Sequence, residues 1–217
     1  MPSLGISGQN IAVSEAPGPS LDKVTPKMSD TAKTLYIIYL LFTIIETIML
    51  MLGGMSLYDS LITSFGSVGT GGLSNYSDSI GHFDSTYIRM VITAFMFLCG
   101  VNFNLYFLSL KHGLKTFTRD SEFKLYVFVF AAASLFIFAA LLISGQYDEV
   151  LPAFSDSVFQ VSSILTTTGF ITADYETWPI VCQMVLLILM FIGGCSSSTG
   201  GGIKVVRILV LLKLIRR

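Results

Sequence analysis

The chain has 217 residues, of which 53% are hydrophobic and only 12% charged, and its mean hydropathy is +0.73. Soluble domains carry roughly 45–50% apolar and about 25% charged residues, so this composition excludes an ordinary soluble domain and indicates a membrane protein. The net charge of −1 is uninformative as a total. We expect membrane lipid, and no nucleic acid, around this chain.

The positive charges are unevenly placed along the chain. They precede the first apolar segment, separate the two halves and close the chain, whereas only Arg89 falls in the two other connecting regions. By the positive-inside rule, the termini and the middle linker are predicted to be cytoplasmic in a multi-pass protein of the cell inner membrane. The two outer regions carry acids, for which solvated loop charge is the expected role: Asp59, Asp78, Asp84, Asp148, Glu149, Asp156, Asp174 and Glu176.

The first half of the chain contains two apolar segments of different length. Residues 1–30 are predicted to be a cytoplasmic linker or tail, and 34–55 is apolar for about the 20 residues that a ~30 Å hydrocarbon core requires. Its one charge, Glu46, is expected to meet a polar partner rather than lipid. Residues 57–65 are too short to span and predict a re-entrant half-helix capped by Ser56 or Asp59.

The next apolar segment, 87–110, predicts one full span. Gly100, Asn102 and Asn104 lie in its lower half. Polar amides at that depth face a bundle interior or a pore, because lipid offers no hydrogen bonds. Hydrogen bonding between helices and pore lining are equally compatible with this pattern.

The same pattern then returns, and an internal repeat is the most informative feature of the sequence. Residues 123–143 are predicted to span, 154–165 to form a second half-helix, 166–175 a loop, and the last span to start at Trp178 with Pro179 in its first turn. The predicted fold is therefore all-α and polytopic, with four spans and two half-helices. The predicted units are 31–112 and 123–217, joined by a cytoplasmic linker at 113–122.

Each half-helix is followed by a loop of small residues. Aligning Asp59 with Asp156 without a gap places Gly72 on Gly169. Backbone carbonyls can replace the hydration shell of a cation when a loop is extended and its side chains are small, so these loops predict a cation filter. The predicted ion-binding residues are Thr70, Gly71, Gly72, Thr167, Thr168 and Gly169.

Two other interpretations of these loops are weaker. Residues 67–71 resemble the TVGYG filter of tetrameric potassium channels, but this register leaves the second half without the motif. The loops could instead be ordinary Gly/Thr turns of re-entrant segments, but two of them in register favour a filter.

A glycine-rich segment interrupts the last span. Five glycines in the ten residues 193–202 disfavour a straight helix, because each costs about 1 kcal/mol against Ala, and irregular backbone at membrane depth has to line a cavity or be buried in protein. We call Gly193–Gly202 the glycine loop. A gate is predicted there, formed by Gly193, Gly194, Ser196, Ser197, Ser198, Gly200, Gly201, Gly202 and the adjacent Lys204. The segment superficially resembles a Walker A motif, but its spacing excludes one.

Little in the sequence supports catalysis. His82 and His112 are predicted to lie on opposite sides of the membrane, so they cannot form a metal pair. Cys99, Cys182 and Cys195 have no CxxC spacing and are predicted to be buried free thiols. We expect no enzyme activity and no cofactor other than the transported ion.

Nearly the whole length of this chain resembles one known family. The motif TTTGF, followed by Asp174-Tyr175, Trp178-Pro179 and FIGGCSSSTGGGIKVVRILVLLK, resembles the Trk/Ktr/HKT superfamily of potassium transporters, and within it the bacterial TrkH type. The resemblance implies four span–half-helix–span units around one pore, with Gly72 and Gly169 as two of four filter glycines and the glycine loop as an intramembrane gate. Family members with a serine in place of one filter glycine tend to pass sodium, so the resemblance implies that glycine at both positions favours potassium.

The resemblance also implies partners. Only two of the four units are present, so this chain is not expected to close the ring alone. Either it is a fragment of a longer protein or two copies associate, and the linker-like start favours a fragment. The family forms homodimers and docks a cytosolic nucleotide-binding regulatory ring, for which 111–124 and 207–217 are candidate surfaces. Whether transport is coupled or channel-like stays open. A non-conducting membrane scaffold or regulatory half-subunit is the alternative function, and a membrane enzyme ranks third.

Overall fold

The computed structural model describes residues 28–215, and the regular structure in that range is helical. All but the last three residues of the predicted linker 1–30 lie outside it, as do Arg216 and Arg217. The described helices are α1 (Met28–Leu52), α2 (Leu57–Val68), α3 (Thr86–Cys99), α4 (Phe103–His112), α5 (Lys115–Arg119), α6 (Ser121–Ile143), α7 (Val150–Leu165), α8 (Ile180–Phe191) and α9 (Val205–Ile215). Short 3-10 turns occupy Ser79–His82 and Tyr175–Thr177.

Two of these helices are long and apolar enough to cross a membrane. They are α1, over Lys33–Leu52, and α6, over its whole length. At 1.5 Å per residue, 20 residues cover about 30 Å. The bent pair of α3 and α4 is a third candidate among the described residues.

The two half-helices form between these longer elements. In α2, the Oγ of Ser56 accepts a hydrogen bond from the backbone N of Asp59 at 3.1 Å, which confirms Ser56 as the cap. The second half-helix, α7, begins at Val150 rather than at 154 as predicted. Pro152 lies in its first turn, where a helix does not need the missing N–H, so the helix can start earlier.

The segment 87–110, predicted as one full span, is a bent pair of helices rather than a straight one. The chain breaks between α3 and α4, whose axes meet at 85°. The Oδ1 of Asn102 caps α4 by accepting from the backbone N of Asn104 at 2.9 Å. The carbonyl of Gly100, which loses its helical partner at the break, accepts from the backbone N of Cys195 at 2.8 Å. Long-range hydrogen bonds therefore compensate for the interrupted helix.

The last span is interrupted at the glycine loop, as predicted. Helix α8 ends at Phe191 and α9 begins at Val205. The two ends of the interruption meet, because Ile192 and Ile203 form an isolated parallel bridge. Pro179 is the N-cap of α8 rather than a residue of its first turn.

The two halves share one buried region, which places their loops side by side. Phe159 and Phe170 from the second half pack in the same cluster as Leu50, Ile92 and Met96 from the first. The three cysteines are buried free thiols, as predicted. Because each half contributes to the same core, the loops that follow α2 and α7 are held against each other.

Candidate filter and gating loop

The loops after the half-helices have the same unusual backbone. We call Gly69–Leu73 the first loop and Thr166–Phe170 the second loop. Thr70 and Gly72 have φ angles of 51° and 62°, and Thr167 and Gly169 have φ angles of 60° and 90°. A positive φ is uncommon outside glycine and is found at functional sites. The two loops therefore have positive φ angles at equivalent positions.

Hydrogen bonds repeat from loop to loop in the gap-free register. Each loop returns three backbone N–H groups to carbonyls in the last turn of its half-helix. They are Thr70 to Ser67, Gly71 to Gly66 and Gly72 to Gly66 at 3.1, 2.8 and 3.1 Å, and Thr167 to Ile164, Thr168 to Ser163 and Gly169 to Ser163 at 3.0, 2.8 and 3.3 Å. Gly69 and Thr166 are both helix C-caps. This geometry supports pairing Gly72 with Gly169 over the TVGYG-like register.

The loops touch each other on one side. A Cβ built on Gly72 would overlap the carbonyl oxygen of Thr168, whereas a Cβ on Gly169 would meet nothing within 4 Å among the described residues. Gly72 therefore lies against the second loop, and Gly169 borders open space.

Buried polar side chains support the backs of the loops. The Oγ of Ser163 donates to the carbonyl of Phe170 at 2.6 Å, and the hydroxyls of Thr166 and Thr168 are 2.7 Å apart. In the first half, the Oγ of Ser67 donates to Oε1 of the fully buried Glu46 at 2.6 Å. Glu46 thus has the structural polar partner that we expected, and that partner lies directly beneath the first loop.

The outer acids are not all solvated loop charge. Asp156 is only 4% exposed, and its Oδ1 lies 3.5 Å from Nη1 of Arg89. It also accepts from the hydroxyls of Tyr147 and Thr172, both at 2.9 Å. Burial raises the pKa of the Tyr147 phenol, and the charge of Asp156 adds to this rise. For Asp156 the prediction of a solvated charge is wrong, because it pairs with Arg89 and binds Thr172, two residues after the second loop.

The glycine loop is a closed segment whose ends are hydrogen-bonded. The backbone N of Gly193 donates to the carbonyl of Ile203 at 2.9 Å, and that of Val205 to the carbonyl of Gly194 at 3.2 Å. A Cβ on Gly193 would overlap the carbonyl of Gly201. Close backbone approach therefore requires glycine at the neck of the loop.

The glycine loop contacts both filter loops at equivalent positions. Its Gly201 donates a backbone hydrogen bond to Oγ1 of Thr167 at 2.6 Å. The Oγ1 of Thr70 donates to the carbonyl of Thr199 at 2.9 Å. The structure therefore brings the six predicted filter residues and the predicted gate together in one site.

The remaining gate residues bind within the loop or to the first half. The Nζ of Lys204 donates to Oγ of Ser198 at 3.4 Å and to the carbonyl of Gly200. The carbonyl of Ser197, which has a φ of 52°, accepts from the backbone N of Phe103 at 3.1 Å. The glycine loop therefore binds the chain at the break between α3 and α4.

Sequence reasoning missed Glu122, which lies at the end of the predicted linker. Its Oε1 accepts from the backbone N of Ser196 at 2.6 Å, and its Oε2 accepts from the Oγ of Ser196 at 2.7 Å. The Nδ2 of Asn102 is 3.4 Å from the same hydroxyl and donates to it. The sequence offered little signal, because an acid in the first turn of a helix is ordinary and complements the helix dipole.

These features together define a class of protein. Helices long enough to cross a membrane, together with two half-helices that end in matched Thr/Gly loops, are typical of polytopic membrane proteins with re-entrant segments.

Comparison with known proteins identifies the family. A family model described as TrkH, cation transport protein, matches residues 1–217. The chain therefore belongs to the TrkH family. Because this is a transport family, the prediction that the chain is not an enzyme is confirmed.

Individual relatives agree with this assignment. The chain is 39% identical over 215 residues to the Trk system potassium uptake protein TrkH of Escherichia coli K12, covering 98% of this chain and 44% of that protein. It is 36% identical to TrkG of the same strain, again covering 44% of that protein. The crystal structure of the potassium transporter TrkH from Vibrio parahaemolyticus superposes with a TM-score of 0.86 at 36% identity, covering 95% of this chain and 46% of that one. The chain thus spans less than half the length of these relatives.

Proposed function

We propose that this chain supplies two pore units of a potassium uptake protein in the cytoplasmic membrane. Thr70–Gly72 and Thr167–Gly169 are two segments of the filter, and their carbonyls replace the hydration shell of potassium. The glycine loop is the gate beneath them. The observation that carries this proposal is the contact of the glycine loop with Thr70 and Thr167, the same position in two matched loops.

Further units complete the ring. Gly169 borders open space among the described residues, and the relatives named as potassium uptake proteins are more than twice as long. The missing units, or a second copy, occupy that side. The assembly is a homodimer whose termini and basic linker face the cytoplasm, where a nucleotide-binding regulatory subunit docks. No cofactor takes part besides the transported ion.

The proposed filter can be tested by measuring the ion selectivity of uptake. In a chimaera in which this chain replaces the matched segment of the Vibrio parahaemolyticus protein, we expect Gly169→Ser to lower the ratio of rubidium to sodium uptake in a potassium-starved strain. Glycine holds a φ of 90° there without strain, and serine would shift the carbonyls that the ion needs. Gly72→Ser has the same expected direction, but its Cβ would also overlap the second loop, so Gly169→Ser is the cleaner change.

The control is Gly145→Ser, which alters a positive-φ glycine outside the filter, in the turn after α6. Unchanged selectivity in a conducting Gly169→Ser variant would remove the filter assignment. A chimaera that reaches the membrane but carries no rubidium would favour the scaffold function.

A further inference from the structure

We propose that Glu122 is the latch of the gate: a positioning residue whose carboxylate holds the glycine loop in its place under the filter. This inference rests on the proposed function, because it names the residue that fixes the closed position of the proposed gate. Glu122 itself does not contact the ion path at Thr70 or Thr167; it acts through Ser196.

Both oxygens of the Glu122 carboxylate bind the same residue of the glycine loop. Glu122 is 8% exposed, and its two oxygens accept separately from the backbone N and the hydroxyl of Ser196. Hydrogen bonds to an ionised group are shorter and stronger than neutral ones. A buried carboxylate is stable only with such partners, so release of Ser196 would leave Glu122 uncompensated. The pair therefore favours one position of the loop.

The latched residue is connected to the filter within a few residues. Thr199 and Gly201 bind the hydroxyls of Thr70 and Thr167. On the other side of Ser196, the backbone N of Cys195 is bonded to the carbonyl of Gly100. Ser196 is therefore the residue of the glycine loop that the charged side chain of Glu122 holds. The later residues Thr199 and Gly201 of the same loop bind Thr70 and Thr167.

The latch is also placed to respond to the linker between the halves. Glu122 lies in the first turn of α6, which is capped by Asp120 through a 2.6 Å bond to the backbone N of Phe123. The basic helix α5 ends one residue before that cap, at Arg119. Because α5 ends three residues before Glu122, a movement of α5 would shift Glu122 and, through it, Ser196, without a change in the filter.

Basal rubidium flux through the reconstituted chimaera tests the latch. Glu122→Ala is expected to raise the flux of the unstimulated protein roughly tenfold, because it removes two charge-assisted hydrogen bonds. Ser196→Ala keeps the backbone bond and should raise the flux less. Glu122→Gln should raise the flux less than Glu122→Ala, since its amide can accept from the backbone N and donate to a reversed Ser196 hydroxyl but without the added strength of an ionised group.

Two comparisons separate a latch from a general loss of stability. The double variant Glu122→Ala/Ser196→Ala should match Glu122→Ala alone, because both changes act on the same contact. Glu149→Ala is the matched control: it removes an exposed glutamate at the start of α7 that makes no side-chain cap bond, and it should leave the flux unchanged.

The possible contrary results are distinct. Wild-type basal flux in a folded Glu122→Ala variant, or fully additive effects in the double variant, would overturn the latch while a selectivity change in Gly169→Ser leaves the filter standing. If Glu122→Ala does not fold, Ser196→Ala decides, and an unchanged flux there overturns the latch. A chimaera without any rubidium flux would overturn the proposed function as well.

Discussion

Asp156 and Arg89 form a largely buried ion pair between the two halves of the chain. Arg89 comes from α3 in the first half and Asp156 from α7 in the second, and both are largely buried. Asp156 also holds Thr172, three residues beyond Gly169. One ion pair therefore joins the two halves close to the segment that follows the second loop.

Removing this carboxylate should destabilise the protein. Asp156→Ala leaves Arg89 buried without its partner, and breaking such a pair costs about 3–5 kcal/mol. We expect a lower midpoint of thermal denaturation in detergent. Asp148→Ala removes an exposed acid of the same outer region and should leave the midpoint unchanged; equal midpoints for the two variants would contradict the importance of the pair.

At the scale of elements, the two interrupted helices contact each other at their breaks. The first break, between α3 and α4, provides the carbonyl of Gly100, and the second, between α8 and α9, provides the loop that binds it. A Cβ on Gly194 would come within 3.0 Å of that carbonyl. Each interruption therefore supplies hydrogen-bond partners that the other lacks.

Shortening the glycine loop should open the pore. Deleting Gly200–Gly202 removes the backbone N–H that binds Thr167 and the carbonyl that receives Lys204. We expect a higher rubidium leak in the chimaera, with the rubidium-to-sodium ratio nearly retained because the filter loops are intact. A deletion variant that stays as tightly regulated as the parent would contradict a gating role.

The elements also show where sequence reasoning succeeds and where it stops. The half-helices, both loops and the second break follow from local signals: length, glycine content and a repeat in one register. The break at Gly100–Asn102 could not be predicted because its stability comes from residues about a hundred positions away, such as Cys195. Glu122 was missed for the same reason, since its partner Ser196 is adjacent only in the folded chain.

At the scale of the whole molecule, the two halves form one body with a shared core. Phe170 at the end of the second loop is buried in the cluster that contains Ile92 and Met96 of α3. Large apolar side chains on α1 and α8, such as Ile37 and Ile188, are exposed, which suits lipid or further helices.

We expect this chain alone to carry no rubidium, and the chimaera to restore uptake. The two proposed filter segments would line only part of a ring, and a Cβ on Gly169 would meet nothing within 4 Å among the described residues. Growth of a potassium-uptake-deficient strain at low potassium measures the difference. Uptake by the chain alone would indicate that copies of it associate to close the pore.

The contact between the filter loops has a consequence for assembly. A Cβ on Gly72 of the first loop would overlap the carbonyl of Thr168, whereas a Cβ on Gly169, its counterpart, would meet nothing within 4 Å among the described residues. The contact joins different positions of two similar repeats, which makes it heterologous, and such contacts run head to tail around an axis instead of pairing across a twofold. In the proposed pore the order of units therefore has a fixed direction, so an added unit would present to Gly169 the carbonyl at its own position equivalent to Thr168, which is Gly71 in the first loop.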